Sequence, residues 1–305
     1  YMYVPDSQEY KDKVKLGYEV ASNNRLLILC LARDVDDNIE MTRNKLESIG
    51  RDFLEYKIVI FENDSDDETR MGLKRWMGEN ENVDLMDCCD MGSCDCLLKN
   101  AKGYDIGSVS KGRINKMRYY RETLMRYATS KYNNYDYVIM YDFDISGIIY
   151  KDGLMTSFSS NDDWDAVFAR GLQSLPNLIS RKMVLYDPFP FIPDDLQFNH
   201  DLILNTANKR QNDLLKHKIG DNLVKCKSGF NGMAIYKMNA LLDSGYMNNT
   251  NKYCEHVDLF EDMYNKGYDK VYYNPSMVLF IGQGGPDRIN FVSETYNLHN
   301  RKLNS

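Results

Sequence analysis

The chain has 305 residues, 43% of them apolar, and a formal net charge of −7 at pH 7. That length and apolar content suit one large α/β domain, or two small ones, with a sizeable core, and they exclude a disordered chain. The negative balance argues against a general nucleic-acid or anionic-membrane binder, while an anionic small ligand stays compatible through a local basic cluster or a metal.

In chain order, residues 7–22 are polar with scattered apolar positions and read as an outlying helix. Residues 25–33 (Arg-Leu-Leu-Ile-Leu-Cys-Leu-Ala-Arg) form a short continuous apolar run, the pattern of a strand covered on both faces. Asp36 or Asp37 can cap a helix over 38–50, with Ile39, Leu46 and Ile49 at helical spacing and Gly50 at its end. A second strand over 56–61 runs into the polar loop Glu62-Asn63-Asp64-Ser65-Asp66-Asp67, which Ser65 or Asp66 would cap into a helix over 68–77. This pitch predicts a right-handed parallel βαβ unit. Residues 80–110 read as loop-rich, 113–130 as a helix, and 137–141 as a third buried strand ending at Asp142-Phe143-Asp144. Another strand is expected over 163–169, an irregular insertion over 172–212, and then strand, helix and strand over 229–237, 255–267 and 271–281.

No run is long and apolar enough to predict a transmembrane helix, and no signal peptide is recognisable. The chain opens Tyr1-Met2-Tyr3, so a lost N-terminal anchor stays compatible with it. Seven cysteines, four of them at Cys88, Cys89, Cys94 and Cys96, lack the paired C-x₂-C spacing of a zinc site and fit free thiols in a reducing compartment. Asn63-Asp64-Ser65 and Asn248-Asn249-Thr250 are formal glycosylation sequons. A glycan on Asn63 would obstruct the loop read below as a ligand site, which favours a cytoplasmic chain.

Asp142 and Asp144 are the sharpest chemical signal. Two like charges at the mouth of an apolar strand are costly unless a cation compensates them, and carboxylates suit Mg²⁺ or Mn²⁺. Ligands of open α/β sheets gather at the carboxyl ends of strands. Ala32-Arg33 and Glu62-Asn63-Asp64 end the two preceding strands, where acids and amides can meet ribose or a base. Lys111, Arg113 and Lys116 crowd a helix start, against the helix dipole, and Arg118 and Arg121 follow. Both a solvated basic face and a diphosphate contact, Arg113 foremost, fit that pattern. Glu255, Asp258 and Asp262 share one face of a late helix, as a favourable first turn or as a source of a general base, with His256 a further candidate base or ligand. Gly229-Phe230-Asn231-Gly232 suits either a tight turn or close backbone approach to an acceptor, and Tyr186, Phe189 and Phe191 could shape an acceptor cleft.

Together these features resemble the GT-A glycosyltransferases. The stretches 29–35 and 60–69 look like the cryptococcal capsule-type mannosyltransferase family and similar enzymes of large DNA viruses, over roughly residues 25–285. The resemblance implies an α/β fold with a mixed, mainly parallel central sheet: an extension over 1–24, a nucleotide-sugar half over 25–145, an acceptor half over 146–290 and a tail over 291–305. It implies nucleoside contacts at Ala32, Arg33, Glu62 and Asn63, with Asp64, Arg113 and Phe143 also in the donor site. Asp142 would touch ribose or metal, and Asp144 would ligate Mn²⁺ (or Mg²⁺). A third ligand would come from His299, or from Gln283 nearer the usual spacing. Glu255-His256-Val257-Asp258-Leu259 looks like the family's Glu-Asp-x-Asp-Leu base element, with His256 in place of Asp. The implied partners are a UDP- or GDP-linked sugar and a carbohydrate acceptor, with Asn231, Gly232 and Tyr186 on the acceptor side.

Two other readings compete. In a haloacid-dehalogenase-type phosphatase, Asp142 would be the nucleophile, although such a motif normally opens its domain. A non-catalytic carbohydrate-binding module would bind sugar without metal or nucleotide. A sugar-nucleotide synthase lacks support because its glycine-rich phosphate loop is missing.

Overall fold

The computed structural model describes residues 3–87, 111–159, 163–175, 182–187, 189–198, 213–247 and 254–282. The apolar runs form the centre of a ten-stranded sheet. Its strands are β1 (Arg25–Ala32), β2 (Glu55–Glu62), β3 (Val83–Asp87), β4 (Tyr137–Asp142), β5 (Ala166–Leu175), β6 (Lys182–Leu185), β7 (Ile192–Pro193), β8 (Val224–Ser228), β9 (Met233–Lys237) and β10 (Val271–Phe280). The order is β3-β2-β1-β4-β9-β5-β10-β8-β7, with β6 beside β5. β1, β2, β3 and β4 are parallel, β9 runs antiparallel between β4 and β5, and β10 lies parallel to β5. The result is the mixed, mainly parallel α/β sheet expected from the sequence. It is continuous, with β4 paired directly to β9.

Alternation within the apolar runs explains the layers. Leu27 and Leu29 of β1 face one core with Leu124, Met125 and Ala128 of α4 (Lys111–Lys131). Leu26, Ile28 and Cys30 face the other, with Leu46 and Ile49 of α2 (Ile39–Gly50) and Leu73 and Trp76 of α3 (Thr69–Glu79). Residues Leu26 to Cys30 are all fully buried, and each Leu or Ile so buried contributes about 1.5–3 kcal/mol. α1 (Gln8–Ala21), capped by Ser7, packs on α5 (Lys151–Met155) through Tyr18 Oη donating to Asp152 at 2.9 Å. Helices α6 (Met238–Asp243) and α7 (Glu255–Asn265) cover the second half.

Several elements differ from expectation. β3 lies inside the segment read as loop, β5, β6 and β7 enter the stretch read as irregular, and β8 stands where no element was predicted. Residues 229–232 form a turn ahead of β9, not part of the strand. Asp67, not Ser65 or Asp66, accepts the Thr69 backbone N–H at the start of α3. Among the described residues, no helix is long and apolar enough to cross a membrane.

Candidate active site

The carboxyl ends of β1, β2 and β4 open on one edge of the sheet, as parallel pairing in register requires. Four non-glycine residues among those described have positive φ: Asp34 (49°), Asp64 (59°), Asp187 (45°) and Asn231 (53°). Asp and Asn tolerate this region best, and such backbone strain concentrates at functional sites. Asp34 and Asp64 each stand two residues past the end of a strand, Asp187 two past β6, and Asn231 two before β9. The loops after β1 and β2 are stitched together. Asn63 N donates to Ala32 O at 3.1 Å, Asp34 N to Ser65 Oγ at 3.1 Å, Asp66 N to Asp34 Oδ1 at 2.8 Å and Val35 N to Thr69 Oγ1 at 2.7 Å.

Asp142 closes β4, with its backbone N–H donating to Gly232 O at 3.0 Å. Gly232 has φ +88°, a conformation that other residues adopt only with strain, so glycine suits the turn beside Asp142. The Asp142 side chain is 18% exposed and its Oδ1 accepts from Arg121 at 2.9 Å. Burial raises its pKa to about 6, against the pull of Arg121 and with a further rise from Asp144. Asp144 is exposed. The cation that compensates Asp142 here is the Arg121 guanidinium, and Asp144 is exposed to water.

Arg121 is the hub of the edge. Its side chain is 4% exposed, its Nε lies 3.3 Å from Glu255 Oε1, and its guanidinium stands 5.0 Å from the Phe230 ring centre. Burial works against the charge, but Asp142 and Glu255 outweigh it and lift the guanidinium pKa above its usual range. One turn earlier, Arg118 donates through Nε to Asp258 at 3.0 Å. Two arginines at i, i+3 on α4 thus meet two acids at i, i+3 on α7, in opposite order. Arg118 and Arg121 thus turn inward, while Arg113 stays exposed on the first turn of α4.

The other expected residues divide. Tyr186, Asn231 and Gly232 all come to the edge. A Cβ on Gly232 would lie 3.4 Å from the Tyr186 ring, and burial with the nearby Asp142 and Asp144 raises the Tyr186 hydroxyl pKa. The Asn231 side chain is buried and donates to Ala169 O at 2.9 Å, so it fixes the turn. Glu62 is fully buried, accepting Ser65 N at 2.8 Å on Oε1 and Arg70 on Oε2 at 2.8 Å. Its carboxylate braces the loop instead of facing a nucleoside. Phe143 packs in the core near Trp76, with ring centres 6.5 Å apart, so its side chain makes no donor wall. Ala32 is buried, its carbonyl already accepting from Asn63. Arg33 is 44% exposed and pairs with Asp34 at 3.3 Å. Asn63 and Asp64 are buried at the end of β2, and burial together with Arg33 lowers the pKa of neighbouring Lys116, against a rise from Asp64. Arg113 is exposed on the first turn of α4.

Of the base candidates, Glu255 faces Arg121 and is partly exposed, Asp258 is fully buried on Arg118, and Asp262 accepts from Gly245 N at 2.9 Å and Lys266 at 2.8 Å. His256 is buried, stacked on Phe230 at 3.7 Å between ring centres. Burial, then Arg121, pushes its pKa well below the usual value. The ring is packed in the core, with its Nε2 3.8 Å from Glu255 Oε1. His299, Gln283 and the Cys88–Cys96 cluster lie outside the described residues.

Three contributors were not singled out from the sequence as site residues. Arg121 is the first. The second is Asp187, whose pKa burial and the Asp142 and Glu255 charges raise to about 7. The third is Lys45, which donates to Ile145 O at 2.5 Å and Gly147 O at 3.0 Å while Thr42 Oγ1 donates to Phe143 O at 3.2 Å. Lys45 and Thr42 hold the segment after β4 from behind. The complementary i, i+3 spacing of Arg118/Arg121 and Glu255/Asp258 was the available signal for the first. Nothing local marks the other two.

No three His, Cys, Asp or Glu side chains among the described residues form a closed metal cage. Asp142 and Asp144 instead offer the donor set of a cation held by one or two carboxylates and completed by ligand phosphates and water, the usual habit of Mg²⁺.

No protein-family model and no curated protein matches the sequence. Among solved structures, the chain is similar to Staphylococcus aureus TarS 1-349 (12% identity, TM-score 0.42), covering 84% of this chain and 60% of that one. It is similar to the mannosyltransferase PcManGT from Pyrobaculum calidifontis in complex with GDP-Man and Mn²⁺ (11%, TM-score 0.46, 92% and 68% covered). It is also similar to glucosyl-3-phosphoglycerate synthase from Mycobacterium tuberculosis in complex with Mn²⁺, UDP and glucosyl-3-phosphoglycerate (10%, TM-score 0.47, 96% and 83% covered). The overlap is loose, so the fold class rests on this chain's own strand order and the function on its own site.

Proposed function

We propose that the chain is a metal-dependent glycosyltransferase of the GT-A type, moving a sugar from a nucleoside diphosphate to a carbohydrate hydroxyl. The observation that carries this reading is the meeting of Asp142, at the end of β4, with Arg121 and Glu255 at the strand-end edge where α/β sheets take ligands. The loops after β1 and β2, clasped to each other, form a preset wall for the nucleoside, with Arg33, Asn63 and Asp64 facing the end of α4. Asp142 and Asp144 would hold a divalent cation, which when bound neutralises charge on a diphosphate leaving group. Glu255 is the group placed to take the proton of an acceptor hydroxyl: its side chain is 12% exposed, whereas Asp258 is fully buried on Arg118 and His256 is packed against Phe230. Tyr186 and the Asn231-Gly232 turn border the same point and suit the acceptor side.

Asp142 is less suited to be a phosphatase nucleophile, since β1, β2 and β3 precede its strand whereas such a motif normally opens its domain. Thermal-shift measurement with UDP, GDP and their sugar conjugates, with and without Mn²⁺, tests the proposal. Stabilisation by one nucleotide that requires Mn²⁺ is expected. Stabilisation by free sugars alone, or hydrolysis of para-nitrophenyl phosphate, would replace the reading with one of its rivals.

A further inference from the structure

Resting on that reading, we propose that Arg121 is a positioning residue that competes with the divalent cation for Asp142 while holding Glu255 beside it. The sequence alone suggests a basic helix face; the fold turns one of its members inward between two acids from elements more than a hundred residues apart. Its Nη2 lies 2.9 Å from Asp142 Oδ1 and its Nε 3.3 Å from Glu255 Oε1, so a single planar guanidinium sets the spacing of the two carboxylates. Phe230 flanks it at 5.0 Å and is itself stacked on His256 at 3.7 Å, so the guanidinium plane has little room to swing. Before a ligand arrives, Arg121 therefore supplies the positive charge that Asp142 needs in a largely dehydrated place. A dication reaching Asp142 has to share that carboxylate with Arg121 or weaken the bond between them. Glu255 keeps its own contact to the same side chain throughout.

This arrangement fixes a sign that ordinary structural support would not give. A residue that merely shapes the metal site weakens cation binding when removed. A residue that competes for the ligand strengthens it. We therefore expect R121M to bind Mn²⁺ at least about tenfold more tightly than the wild type, because a unit charge in contact with Asp142 is removed from a poorly screened site. R121K keeps the charge but, as a point donor, cannot span both acids, so its affinity falls between the two.

The test is a Mn²⁺ titration, followed by the electron-paramagnetic signal of the free ion, for wild type, R121K, R121M and D144A. It is run alone and with UDP or GDP, at one pH for all four proteins. The order R121M tighter than R121K tighter than wild type, with D144A weakest, supports the proposal. Both Arg121 variants equal to or weaker than wild type, with D144A still impaired, overturn the role of Arg121 and leave the glycosyltransferase reading intact. R121K alone decides the matter if R121M does not fold. A wild type that binds no Mn²⁺ under any of these conditions overturns both.

Discussion

Arg118 on α4 and Asp258 in the first turn of α7 form a buried ion pair, with side chains 3% and 0% exposed and Nε to Oδ2 at 3.0 Å. It sits one helical turn from the Arg121–Glu255 contact, so the two helices are joined by a matched pair of charges. The Arg118–Asp258 pair is wholly enclosed, and the Arg121–Glu255 pair lies beside Asp142 at the end of β4.

That division separates stability from chemistry. Breaking a buried ion pair by removing one partner costs about 3–5 kcal/mol, so D258A and R118M should each lose stability on that scale in denaturant unfolding. E255Q should unfold close to wild type and yet lose about 10²–10⁴-fold in transfer, the usual worth of a general base. The reverse pattern, an unstable E255Q and a stable but inactive D258A, would exchange the two roles.

Lys45 gives a pH dependence with a definite sign. Burial lowers its pKa from an ordinary 10.5 to about 7. Between those values the unfolded chain binds a proton that the folded chain does not, so this group makes stability rise with pH from about 7 to 10.5. The difference in unfolding free energy between wild type and K45M should therefore change across that window and stay flat below it. A difference independent of pH would mean that the ammonium is not desolvated. Because Lys45 and Thr42 hold the carbonyls that follow Asp142, T42V should weaken Mn²⁺-dependent nucleotide binding more than it weakens the fold, read by calorimetry beside thermal unfolding.

The centre of the fold could be read from the chain because its signals are local. The run at 25–33 and the run at 137–141 have no polar interruption, and burial on both faces is the physical cause of that. β3 was hidden because its sequence, Val83-Asp84-Leu85-Met86-Asp87, carries acids inside the strand. Asp84 is accommodated by Tyr127, Tyr132 and Lys131, each donating to it from α4 or the residue just after it. The same long-range pairing hid Arg118 and Arg121. A buried arginine and a solvated one look alike in sequence until the acid that neutralises it is located, here some 140 residues away for Arg118. Spacing placed Asp142 and Asp144 at a strand mouth. It could not tell that an arginine already compensates one of them, nor that the Glu62 carboxylate turns inward to Arg70.

His256 should behave as a packed ring. With its pKa pushed well below 6.5, the unfolded chain protonates first as pH falls, and stability drops below about that pH. H256F, which keeps a ring against Phe230, should flatten this acid limb and retain transfer activity. Loss of activity with an unchanged acid limb would return His256 to the list of bases.

The mouth of β4 is where a cation and a diphosphate should meet. A crystal grown with Mn²⁺ and the nucleotide selected by thermal shift should show a manganese anomalous peak between the Asp142 and Asp144 carboxylates and the diphosphate. The same crystal with both side chains directed into solvent, and the nucleotide absent or bound elsewhere, would contradict it.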